Sequence, residues 1–80
     1  MVVLRLFASA REAAGTGQDD VPGSTVAEVL QTAGDRYGKP FVELLGACAV
    51  WRNGEPCQPG DAVVDGDELA VLPPVSGGSG

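Results

Sequence analysis

The stretch STVAEVLQTAGDRYGKP, residues 24–40, decides the fold. Thr25 is followed three positions later by Glu28, the spacing of a capping box. The threonine hydroxyl accepts from a free amide of the first turn, and the glutamate reaches back to the preceding backbone. Val26, Val29, Leu30, Ala33 and Tyr37 recur at helical spacing and draw a single apolar stripe. Gly34 costs about 1 kcal/mol against alanine without breaking the period. Gly38 and Pro40 end the run. The spacing therefore predicts a helix over residues 25–37 with one face to bury, and the rest of the chain must supply the surface that covers it.

Most of that remainder reads as strand. VVLRLF, residues 2–7, alternates: Val2, Leu4 and Leu6 point one way, Val3, Arg5 and Phe7 the other. SAREAAG, residues 9–15, has room for one or two helical turns before Gly15 stops it. GQDDVPGS, residues 17–24, holds a weak strand before a turn at Pro22 and Gly23. FVELLG, residues 41–46, reads as a short turn or loose helical segment, and ACAVW, residues 47–51, as a strand. Asn53-Gly54 is the strongest short hairpin signal, since both central residues of a type I′ turn need positive φ. Pro56 and Pro59 keep the returning strand short and at an edge. A turn at Asp65-Gly66-Asp67 precedes a last strand over residues 68–72. In it Leu69 and Val71 face one way, Ala70 and Leu72 the other. The order is strand, strand, helix, strand, short strand, strand. This is an α+β layout: a mixed sheet of four to five strands with one main helix on one face. The first and last strands can lie side by side at its centre.

Composition narrows the function. Eighty residues, 44% of them hydrophobic, make one domain with one core, and a domain of this size buries about 60% of its unfolded surface. No apolar run approaches the roughly 20 residues of a membrane span. Arg5 interrupts the apolar start, which does not read as a signal peptide, so a cytoplasmic location is expected. The net charge of −6, with only five scattered basic residues, argues against nucleic acid. It suits a partner with a basic docking groove. With no histidine, zinc sites and histidine-based triads lose their commonest residue. Cys48 and Cys57 lack CxxC spacing, and two thiols fall short of an iron–sulfur cluster. They read as small half-buried hydrophobes. Neither a metal nor a bound cofactor is expected. The acidic residues read as surface solubility, with Asp65 and Asp67 as turn formers.

The chain divides into a domain over residues 1–72 and a tail over residues 73–80, PPVSGGSG. The segments LFASAREAAG (6–15), TVAEVL (25–30), VWRNGE (50–55) and DGDELAVLPPVSGG (65–78) together resemble the MoaD/ThiS family of ubiquitin-like sulfur carriers. The similarity is greatest to the MoaD branch, the small subunit of molybdopterin synthase. The last segment is the most specific, joining a glycine-aspartate turn, an apolar strand, a double proline and a diglycine in one order and spacing. The resemblance implies a β-grasp fold and a carrier rather than an enzyme. In such a carrier the C-terminal carboxylate is adenylated, using ATP, by a MoeB/ThiF-like enzyme. It is then converted to a thiocarboxylate that delivers sulfur to an acceptor such as a MoaE-like large subunit.

On this reading Gly78 bears the thiocarboxylate. Pro73, Pro74, Val75, Ser76 and Gly77 form the thread that enters a partner. Prolines stiffen the exit, and glycines leave no Cβ to obstruct a narrow channel. In carriers of this kind the diglycine is terminal, whereas Ser79 and Gly80 follow it here. Three readings are open: a protease removes the two residues, they are an appended linker, or Gly80 is itself the active end. Phe7, Trp51 and Leu72 are the expected partner-binding residues, an apolar patch at the root of the tail. The alternatives are a sulfur carrier for another pathway (thiamine thiazole, cysteine or a secondary metabolite), or a ubiquitin-like modifier or adaptor that carries no sulfur.

Overall fold

A computed structural model of the chain describes residues 1–74. In chain order these form β1 (Val2–Leu6), α1 (Ala8–Ala14), β2 (Gln18–Val21), α2 (Val26–Tyr37), α3 (Lys39–Leu45), β3 (Ala49–Arg52), β4 (Glu55–Pro56) and β5 (Glu68–Leu72). The strands make one five-stranded sheet in the order β2-β1-β5-β3-β4. β1 and β5 run parallel at its centre, and the other pairings are antiparallel. The mixed α+β architecture expected from the sequence is the one observed.

Alternation in the two central strands sets the core. Val2, Leu4 and Leu6 of β1 and Leu69 and Val71 of β5 are buried on one face of the sheet. There they meet Val26, Val29 and Ala33 of α2, Ala10 of α1 and Phe41 of α3. All three helices therefore cover the same face. α2 begins as its capping residues require. Thr25 Oγ1 accepts from the Glu28 amide at 3.2 Å, while Glu28 Oε1 accepts from the Ser24 amide at 2.9 Å. The return bond of the box thus lands one residue before the cap. The amides of Val26 and Ala27 are met by the carbonyls of Asp61 and Pro59, so the loop before β5 finishes the helix start.

The segment from Lys39 to Leu45 takes the helical of the two sequence readings, but as a regular seven-residue helix that starts two residues earlier rather than as a loose one. Pro40 lies in its first turn, where a missing N–H costs nothing. It opens a helix here as well as following the end of another. The driving contact is Phe41, fully buried and edge-on to Tyr37, with ring centroids 5.1 Å apart. Gly34 is explained by the same junction. A Cβ there would come within 2.9 Å of Val42 Cγ2, so glycine lets α3 close onto α2. The hairpin is as predicted, with Asn53 at φ 52° and Gly54 at φ 85° between β3 and β4.

Candidate functional site

The face of the sheet opposite the helices is open, and the strand register decides what it presents. Arg5 of β1, Ala70 of β5 and Trp51 of β3 stand in one row, and Leu72 stands opposite Ala49 in the next. Phe7, one residue beyond β1, keeps extended dihedrals (φ −123°, ψ 153°). Its amide donates to the Val71 carbonyl at 3.3 Å. Phe7 is 40% exposed and Trp51 37%, and Leu72 is half-buried. The three residues named from sequence are thus brought to one face. Ala8 then takes φ 49°, a left-handed conformation that costs a non-glycine residue about 1 kcal/mol. That single residue swings the chain from strand into α1 and leaves Phe7 behind on the open face. Nothing in the sequence signals it, because alanine carries no preference for that region.

The polar groups around the patch are structural. Arg5 Nη1 and Glu68 Oε2 pair at 3.2 Å beside it, each side chain 46% exposed, an arrangement that contributes little to stability. The Asn53 side chain donates to Asp67 Oδ1 at 3.0 Å and accepts from the Glu68 amide at 2.9 Å. Asp67 Oδ2 accepts from the Val64 amide at 2.9 Å. Donation from that amide and from Asn53 holds the Asp67 carboxyl below its ordinary value. Together these bonds tie the hairpin to the start of β5. Cys48 and Cys57 are half-buried free thiols that donate to the carbonyls of Leu44 and Val50 at 3.4 Å. Burial pushes both thiols up and away from the reactive thiolate. Among the described residues no group of Cys, Asp and Glu is placed to hold a metal ion.

β5 ends at Leu72, and Pro73 and Pro74 follow outside any strand, Pro73 half-buried and Pro74 exposed. The root of the tail therefore leaves the centre of the sheet beside the open apolar face. Val75, Ser76, Gly77, Gly78, Ser79 and Gly80 lie outside the described residues.

Comparison with known proteins agrees with this geometry. The ThiS family matches the chain over residues 4–78. Small archaeal modifier protein 1 of Haloferax volcanii is 40% identical over 84 aligned positions, covering 92% of this chain and 97% of that protein. Its crystal structure superposes with a TM-score of 0.79 at 36% identity, over 96% of this chain and 98% of the other. A chain of the BexX/CysO complex from Amycolatopsis orientalis gives a TM-score of 0.83 at 25% identity, over 98% and 100%. One from the complex of subunits 1 and 2 of the molybdopterin-converting factor of Helicobacter pylori gives 0.71 at 26%, over 96% and 97%. These neighbours are ubiquitin-like β-grasp proteins, and the likeness extends over nearly the whole of this chain. Matched by the family over nearly its whole length, the chain belongs to the ThiS family of ubiquitin-like sulfur carriers.

Proposed function

We propose that this chain carries sulfur as a thiocarboxylate on Gly78. What supports the reading is the root of the tail. A central strand ends in Pro73-Pro74 at the border of an open apolar face, and the diglycine follows four residues later. The face gives a partner something to grip, and the tail gives it something to react. In the first step the Gly78 carboxylate attacks the α-phosphate of ATP in a MoeB/ThiF-like adenylating enzyme, releasing pyrophosphate. A sulfide-level donor then displaces AMP and leaves the thiocarboxylate. The loaded sulfur attacks an electrophilic carbon in an acceptor enzyme. The chain contributes no catalytic side chain and binds no cofactor of its own. The ATP belongs to the partner, and the reaction is cytoplasmic.

Phe7, Trp51 and Leu72 are the docking residues, and the thread from Pro73 to Gly77 enters the partner. Molybdopterin synthesis with a MoaE-like large subunit is the leading acceptor pathway. The likeness to one subunit of a two-subunit molybdopterin-converting factor supports it. The likeness to a chain of the BexX/CysO complex supports a protein partner more generally. Ser79 and Gly80 follow the diglycine, and a protease that removes them exposes Gly78, unless they are an appended linker. A second reading, in which the tail is joined to amines of other proteins, is favoured by the 40% identity to a protein named a modifier. Intact mass spectrometry of the chain from its native host tests these readings. A chain ending at Gly78 with one oxygen replaced by sulfur is the expected result. A chain ending at Gly80 without sulfur would oppose it, and adducts through an amide to other proteins would favour the second reading.

A further inference from the structure

The sheet ends in β2 on one side and in β4 on the other. At the β2 edge the Leu6 amide donates to the Gly17 carbonyl at 3.0 Å, and the register continues with Leu4 opposite Asp19 and Val2 opposite Val21. Gly17, Asp19 and Val21 therefore exchange bonds with β1, and the amides and carbonyls of Gln18 and Asp20 point away from the sheet. Such outward groups are what an added strand pairs with. Here every one of them is already met by a side chain. Thr16 Oγ1 donates to the Gln18 carbonyl at 2.9 Å and accepts from the Gln18 amide at 3.4 Å. Asp19 Oδ1 accepts from the Asp20 amide at 2.8 Å. Arg36 Nη1 reaches across from α2 and donates to the Asp20 carbonyl at 2.8 Å. Asp19 Oδ2 holds the same guanidinium at 3.1 Å and also accepts from Tyr37 Oη at 2.6 Å. At the other edge Arg52 lies opposite Glu55, and the Cys57 amide donates to the Val50 carbonyl at 3.2 Å. Pro56 is then the residue turned outward, and it has no N–H to offer.

We infer that the outer edge of β2 is a pairing surface for the β2 of a second copy of this chain, held shut by Thr16, Asp19 and Arg36. The geometry selects that occupant. Two copies of β2 related by a two-fold axis through Asp19 would set Gln18 of each opposite Asp20 of the other. Their outward amides and carbonyls would then exchange main-chain bonds, and these are the groups that the three side chains satisfy within one copy. Pairing must first strip away those bonds and displace the Arg36 guanidinium, so little is gained by exchanging one partner for another. It would also bring the two Asp19 carboxylates face to face across the strands, which is unfavourable for like charges. With β2 closed in this way and β4 ending in an outward proline, the sheet is offered to other proteins by its open face and not by its edges. The inference does not depend on the chemistry of the tail.

The test compares the full 80-residue chain with a variant whose edge is opened, Thr16→Val/Asp19→Val/Arg36→Met. Sedimentation velocity over a range of concentrations, with circular dichroism to verify the fold, reads the result. The opened variant should self-associate at least about tenfold more tightly than the parent. Adding Gln18→Pro, which removes an outward N–H while leaving the bonds to β1 intact, should return it to the parent value. A folded opened variant that associates no more tightly than the parent would overturn the inference, as would association that survives Gln18→Pro. Two measurements hold even if the triple change unfolds the chain. Arg36→Met alone, with Asp19 and Tyr37 still paired, should tighten association severalfold, and parent-like behaviour would count against the guard. In the parent, hydrogen exchange of the Asp20 amide should be at least about tenfold slower than in an unstructured peptide, and independent of protein concentration. Exchange at the peptide rate, or protection that grows with concentration, would show that the edge is not closed from within.

Discussion

At the residue scale the most informative contact couples β2 to the end of α2. Tyr37 Oη donates to Asp19 Oδ2 at 2.6 Å, and Arg36 Nη1 donates to the same oxygen at 3.1 Å. The tyrosine hydrogen bond, helped by Arg36 and the Asp20 amide, holds the Asp19 carboxyl below its ordinary value. Burial first, and then the Asp19 carboxylate, push the Tyr37 hydroxyl upward. The two shifts act on stability at opposite ends of the pH scale. A depressed carboxyl contributes stability that is present above its unfolded value near 3.9 and lost as pH falls through the folded one. A raised phenol contributes stability that is present below about pH 10 and lost as pH rises further. Tyr37→Phe should therefore cost about 1 kcal/mol at neutral pH, discounted for partial exposure. It should also flatten both limbs of a urea-unfolding pH profile. A profile that keeps its slope below pH 4 and above pH 10 would show that the contact does not form. The glycine inside α2 gives a second case. Gly34→Ala alone should destabilise, since the gain of about 1 kcal/mol in helix propensity is opposed by a methyl 2.9 Å from Val42 Cγ2. In a Val42→Ala background the same change should stabilise, and a double-mutant cycle by denaturant unfolding reads the difference. The apolar stripe around Gly34 was legible in the sequence. The reason for Gly34 was not, because it depends on a second helix that packs against it.

At the element scale the signals with a local mechanism could be read and those set by tertiary packing could not. The capping box, the alternation of β1 and β5 and the Asn53-Gly54 turn each follow from a few neighbouring residues, and all are observed. For α3 the sequence leaves a short turn and a loose helical segment open, because seven residues are too few to hold a helix without tertiary help. Burial of Phe41 supplies that help. The hairpin carries a prediction of its own. Asn53 tolerates its φ of 52° and its side chain bonds both Asp67 and the Glu68 amide. Asn53→Ala should cost about 2 kcal/mol through backbone strain and lost hydrogen bonds. Asn53→Asp should recover only part of this, because the carboxylate cannot donate to Asp67. Thermal unfolding of the two variants beside the parent measures both. Equal stability of parent and alanine variant would mean that the turn is not anchored through this side chain.

At the scale of the whole molecule, the sheet divides the labour. One face is closed by three helices and holds the core; the other is open and leads to the tail. This division was legible in the sequence, since alternation assigns Phe7 and Leu72 to the open face and the hairpin position adds Trp51. The turn at Ala8 that leaves Phe7 there was not. Phe7→Ala and Leu72→Ala should each weaken binding to an adenylating or acceptor enzyme, by about 2 kcal/mol for the aromatic, with thermal unfolding unchanged. Calorimetric titration would show it, and parent-like affinity in both variants would remove the patch from the account. The central claim is that the Gly78 carboxylate is the reactive group once exposed. Its most direct test compares pyrophosphate release by the activating enzyme, with ATP, for three chains: the 80-residue chain, the chain ending at Gly78, and that shorter chain with Gly78→Ala. The account predicts rapid release for the chain ending at Gly78, far slower release for the alanine variant, and none for the full chain unless a protease is added. Equal turnover by the full-length and shortened chains would contradict it and move the reactive carboxylate to Gly80.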